Sequence, residues 1–85
     1  MIKEDNYANL KYLLGNMGVE IFIAISQGAR DFETIKIFSG VPLECIKGRI
    51  PVLLDLNLIF KNEKGYNLTQ KGFDFIKKIN NASLI

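Results

Sequence analysis

Between Asp5 and Met17 the apolar residues fall at Tyr7, Leu10, Leu13, Leu14 and Met17, the spacing that gathers one stripe along a helix. Asp5 is placed to cap that helix, and Gly15 and Gly18 bracket its end. The next block, Val19 to Ser26, supports two readings. Val19, Ile21, Ile23 and Ile25 alternate as in a strand, yet as a helix the block is apolar on nearly every face, as suits a central helix covered on several sides.

Gln27 to Arg30 reads as a turn, followed by Asp31 as N-cap of a helix over Phe32 to Phe38, with Phe32, Ile35 and Phe38 on its buried side. Ser39, Gly40 and Val41 form a tight turn, and Pro42 suits the first turn of a third helix, where its missing N–H costs little. Together these predict a helix-turn-helix. The third helix is expected from about Leu43 to Leu56, with Leu43, Ile46, Ile50, Leu53 and Leu54 inward and Glu44, Lys47, Gly48 and Arg49 outward. Gly48 weakens its interior and Pro51 removes a hydrogen bond, so a kink is predicted between Lys47 and Pro51.

Asn57 is suited to the left-handed conformation that closes a helix. Ile59 to Lys61 and Tyr66 to Leu68 then read as two short strands joined by a turn over Asn62 to Gly65, a β-hairpin. Thr69 is the expected cap of a last helix running to about Asn80, with Phe73, Ile76 and Ile79 inward and a frayed tail over 81–85.

Two local patterns carry a family resemblance. Leu54-Asp55-Leu56-Asn57-Leu58-Ile59 is similar to the Leu-x-x-Gly-Leu-Ile found where a recognition helix exits, with Asn57 in place of the glycine. Tyr66-Asn67-Leu68-Thr69-Gln70-Lys71-Gly72 is similar to Tyr-x-Leu-Thr-x-x-Gly, which couples the exit of a hairpin to the cap of the next helix. On these motifs the chain resembles the winged helix-turn-helix superfamily, in particular small transcription regulators of the MarR, ArsR and PadR sort. The resemblance implies a mainly α domain with a small β-hairpin wing. Residues 18–80 would be the winged-helix core and 1–17 an added N-terminal helix. It also implies that Val19 to Ser26 is helical, and that the partner is double-stranded DNA, with the third helix in the major groove and the wing on the backbone or minor groove.

On that expectation Glu44, Lys47 and Arg49 would read the groove, Arg49 pairing with guanine or a phosphate and Glu44 accepting from cytosine. A solvated helix face of mixed charge is the competing account of the same residues. Gly48 either admits a close backbone approach or relieves crowding beside Pro51. Lys61 and Lys64 are spaced for adjacent phosphates, although Glu63 lies between them; an ordinary soluble turn explains them equally. Arg30 and Thr34 stand where a helix N-terminus could anchor a phosphate, against the charge of Asp31. Cys45 is either a thiol sensitised by Lys47 or a small half-buried side chain.

Composition narrows the partners. At 85 residues the chain has room for one core, and its 48% hydrophobic content is enough to form it. So small a core often gains stability by pairing, and a homodimer through the N- and C-terminal helices is expected, built on Tyr7, Leu10 and Leu14. Eleven basic against nine acidic residues give only +2, so placement, not bulk charge, carries the case for DNA. The weak charge also supports an interaction module without DNA contact. One cysteine and no histidine leave no metal cage, no cofactor loop is present, and no nucleophile has a base in a known arrangement, so neither cofactor nor enzymatic activity is expected. The six phenylalanines fall mostly on inward stripes and read as core. The start, Lys3-Glu4-Asp5 without an apolar run, has neither secretory nor transit character, and a cytoplasmic location is expected.

Overall fold

The computed structural model describes the backbone of residues 3–83 and the side chains of residues 9–79. Helix α1 covers Lys3–Ser26, α2 Phe32–Ser39 and α3 Leu43–Asp55; strands β1, Ile59–Asn62, and β2, Gly65–Leu68, precede α4, Gln70–Ser83. The chain is therefore mainly helical with one antiparallel hairpin.

α1 is the central element, packing on α2, α3, α4 and β2. Its second half supplies Ile21, Phe22, Ala24 and Ile25 to the core. The alternation of Val19 to Ile25 thus reflects a helix covered on several sides, and the local strand reading is overturned. With most of its faces apolar and only Glu20 exposed as a polar residue, the segment shows little of the 3.6-residue period that marks a surface helix. The break in α1 falls at Gly15, whose backbone is non-helical at φ 71°, ψ 176°. Lys3 is already helical, so Asp5 lies inside α1 and is not its cap; the side chains of Asp5 and Tyr7 lie outside the described residues.

α2 begins with a capping box in which Asp31 and Thr34 each satisfy the other's backbone N–H. It stops at Gly40, left-handed at φ 74°. Pro42 caps α3, its carbonyl accepting from the Cys45 and Ile46 N–H groups at 3.0 Å each. α3 continues as one helix through Gly48 and Pro51, the stretch where the sequence predicts a kink. Its end is a Schellman turn. Asn57, at φ 61°, donates to Leu54 O and Leu58 to Leu53 O, both at 3.0 Å.

The two sequence motifs meet in space. Thr69 donates its hydroxyl to Asn57 O at 2.6 Å and accepts from the Gly72 N–H at 3.0 Å, while its own N–H donates to Leu58 O at 3.1 Å. A β-carbon on Gly72 would overlap the Leu58 carbonyl, so only glycine lets the first turn of α4 lie this close to the α3–β1 turn. The Lys71 ammonium donates to Leu56 O at 2.9 Å, at the carbonyl end of α3 where a cation is favoured. Helix α4 reaches Ser83, so residues 81–83 are helical instead of frayed.

Phe22 and Phe75, centroids 5.3 Å apart, join α1 to α4 at the centre of the core. Phe32 packs against the core as expected, whereas Phe38, Phe60 and Phe73 depart from the inward reading. Phe32 is half-buried, and Phe38 (50%), Phe60 and Phe73 (51%) are exposed. Leu54 is exposed and Leu43 half-buried, because α3 turns its middle, Ile46, Ile50 and Leu53, to the core. Leu10 and Leu14 are buried within the chain and are unavailable, in this conformation, for the expected dimer stripe.

Candidate nucleic-acid interface

The face of α3 turned from the core is Glu44, Lys47, Gly48 and Pro51, all exposed. Their spacing of i, i+3, i+4, i+7 is one continuous helical stripe opposite Ile46, Ile50 and Leu53. Nothing lies within 4 Å of the position a Gly48 β-carbon would occupy. The crowding account of Gly48 therefore fails, since a methyl group there would clear Pro51. What the glycine leaves is a bare patch of helix backbone between an ammonium and a carboxylate.

Arg49 does not join that stripe. It is half-buried toward α1, its Cδ 3.8 Å from the β position of Gly18, with its Nε buried and without a hydrogen-bond partner. One residue along a helix turns a side chain by about 100°, enough to move Arg49 from the exposed face to the α1 seam. Cys45 and Val52 flank the same seam and pack against the core.

Arg30 and Thr34, read from sequence as a phosphate anchor, are occupied within the chain. Arg30 Nη1 donates to the carbonyls of Ile25 at 3.0 Å and of Ala29 and Tyr66 at 3.1 Å each. Its own carbonyl accepts from the Tyr66 N–H at 3.0 Å, and its N–H donates to the Thr34 hydroxyl at 3.1 Å. Arg30 is thus tied to Tyr66 of β2 by one backbone and one side-chain hydrogen bond. Gly65 permits this, because a β-carbon there would overlap the Arg30 carbonyl. Nothing in the local sequence signals the pairing, since it joins residues 36 apart. The Thr34 hydroxyl donates to the Asp31 carboxylate at 2.8 Å. The Thr34 backbone N–H first, and then this hydroxyl, hold the Asp31 carboxyl below the usual carboxylate range.

In the hairpin, Lys61 lies opposite Tyr66, its ammonium 5.4 Å from the ring centroid, a cation–π placement. Tyr66 is buried under the hairpin and stacks on Phe32 at 6.1 Å, so it is a support and not a base platform. Lys64 sits at the exposed tip, where its N–H donates to Asn62 Oδ1 at 2.9 Å. The basic groups presented outward by these elements are therefore Lys47, Lys61 and Lys64, with Glu44 and Glu63 beside them. Two adjoining clefts at the α2–α3 turn share Lys36 and Leu43, one continuing to Glu33 and Ile37 and the other to Val41, Pro42 and Glu44.

Among the described residues no three His, Cys, Asp or Glu side chains converge to hold a metal ion, and no helix is long and apolar enough to cross a membrane. Compared with protein families, characterised proteins and solved structures, the chain shows no match.

Proposed function

We propose that this chain is a winged helix-turn-helix protein of the cytoplasm that binds double-stranded DNA as a transcription regulator, with α3 in the major groove and the β1–β2 hairpin as its wing on the backbone. The observation that carries the reading is the α3 stripe. Glu44, Lys47, Gly48 and Pro51 face solvent on a helix whose other side is locked into the core, and Gly48 bares the backbone at its centre. A helix has the width of the major groove, and this one is held rigidly by a capped turn before it and a Schellman turn after it. In the complex Lys47 contacts phosphate or a guanine edge and Glu44 accepts from cytosine. Lys61 and Lys64 neutralise backbone phosphates, while Arg30, Thr34 and Arg49 support the fold. A homodimer through the N- and C-terminal helices sets two α3 stripes about one DNA turn apart.

Fluorescence anisotropy of a mixed-sequence duplex over a salt series tests this. Lys47→Ala, Lys61→Ala and Lys64→Ala are each expected to weaken binding and to reduce the salt slope by about 1. Arg49→Ala is expected to leave that slope unchanged. Absence of salt-dependent binding at low ionic strength overturns the reading.

One observation favours a second reading, a protein-interaction module. Ile37 is 76% exposed beside Phe38, at the rim of the α2–α3 clefts, an apolar patch on a small surface. Under that reading Ile37→Asp abolishes capture of a protein partner and leaves any DNA affinity intact.

A further inference from the structure

The break in α1 at Gly15 leaves the β side of that residue open. Nothing lies within 4 Å of the β position, yet φ 71° with ψ 176° is a backbone region held almost only by glycine. Nor does the hydrophobic pattern call for a break. Leu10, Leu14, Met17, Ile21 and Ala24 follow one another at steps of 4, 3, 4 and 3 residues, the seam of a coiled coil. In the bent helix Leu10, Leu14, Ile21 and Ala24 are buried while Met17, in the middle of the series, is 39% exposed. Met17, Ile21 and Ala24 all follow the break, and a straight helix brings Leu10 and Leu14 into line with them. Leu13, 60% exposed, flanks the same seam.

We propose that Gly15 is a hinge between two states of α1. In the bent state Leu10 and Leu14 close over the chain's own core. In the straight state Lys3–Ser26 is one continuous helix, and the Leu10, Leu14 and Met17 seam, flanked by Leu13, packs against the same seam of a second copy of this chain. A second copy is the fitting occupant because a heptad seam is self-complementary about a twofold axis, and because straightening strips Leu10 and Leu14 of their own-chain cover. The straight state is therefore favoured by concentration, and the dimer stripe legible in the sequence is exposed only when α1 straightens. The inference concerns association and shape alone, so it stands or falls apart from DNA binding.

The test is the full chain with Gly15→Ala, studied without DNA. L-Alanine is strained in the bent state and favoured in the straight one, so the equilibrium of each chain moves toward the straight state on the order of 10²-fold. Sedimentation equilibrium is expected to show a dimerisation constant raised by about the square of that per-chain factor, because both protomers straighten. Spin labels at Lys11→Cys and Lys77→Cys in a Cys45→Ala background are expected to move apart in the same variant. Adding Met17→Glu to Gly15→Ala is expected to return it to monomer. D-Alanine in place of Gly15, introduced by chemical synthesis, fits the bent backbone and is expected to hold the chain monomeric below the wild-type association. The proposal is overturned if Gly15→Ala keeps the wild-type association and label distance, or if it dimerises with that distance unchanged. Should Gly15→Ala fail to fold, equal association of the D-alanine chain and wild type overturns it.

Discussion

Gly48→Ala separates the stability of α3 from its proposed function, because the two respond with opposite signs. Glycine within a helix is less favourable than alanine by about 0.8–1.0 kcal/mol, through the backbone freedom it loses on folding. The β position at residue 48 is open for 4 Å, so no clash offsets that gain. The variant is expected to be more stable by about 0.5–1 kcal/mol, a rise in Tm of roughly 2–8 °C for a chain of this size. The same methyl group stands in the centre of the α3 stripe, between Glu44, Lys47 and Pro51. If DNA approaches the bare backbone there, the added atom forces a separation, with a cost of the order seen when a tight contact is overfilled, about 1–3 kcal/mol or roughly 5- to 150-fold in affinity. Urea denaturation followed by circular dichroism reads the first quantity and duplex anisotropy the second, with Gly48→Leu enlarging the second effect. Unchanged or lower stability would refute the open geometry at residue 48. A gain in stability with unchanged affinity would refute the contact between α3 and DNA while leaving the helix description intact.

Two glycines should behave in the opposite way. Gly72→Ala and Gly65→Ala each drive a methyl group into a carbonyl, of Leu58 and Arg30 respectively, and are expected to lose at least about 2–3 kcal/mol in denaturant titration. A loss as small as that of an exposed Gly→Ala change would contradict the close approach. The α2 cap should show as pH dependence. The Asp31 carboxyl lies below its ordinary value of 3.8, so the stability it contributes is present above that pH and is lost as pH falls through the lower native value. The Tm of wild type is therefore expected to exceed that of Asp31→Ala above about pH 4, with the difference closing in more acid solution; a difference constant with pH would contradict the charged cap.

Local chemistry made much of this fold readable from the residues alone. Asp31 three residues before Thr34, Gly40 after α2, Pro42 before α3, Asn57 after it and Thr69 before α4 are caps and stops whose effect is settled within a few residues. The exposed stripe of Glu44, Lys47 and Gly48 followed from helical spacing for the same reason. Tertiary packing decided the rest. Val19 to Ile25 could be told from a strand only once α2, α3, α4 and β2 packed around it, because burial of most of its faces leaves Glu20 as the one exposed polar position that could mark a helix. Arg49 and Arg30 look alike in sequence as free basic groups, but one lies along the Gly18 seam and the other ties Ile25 and Ala29 to Tyr66, contacts made by residues distant along the chain. The bend at Gly15 falls at the glycines that the sequence places at the end of the first helix, and tertiary packing decided that the chain continues as helix beyond it. Leu10 and Leu14 fold onto the chain's own core across a backbone turn that glycine makes freely.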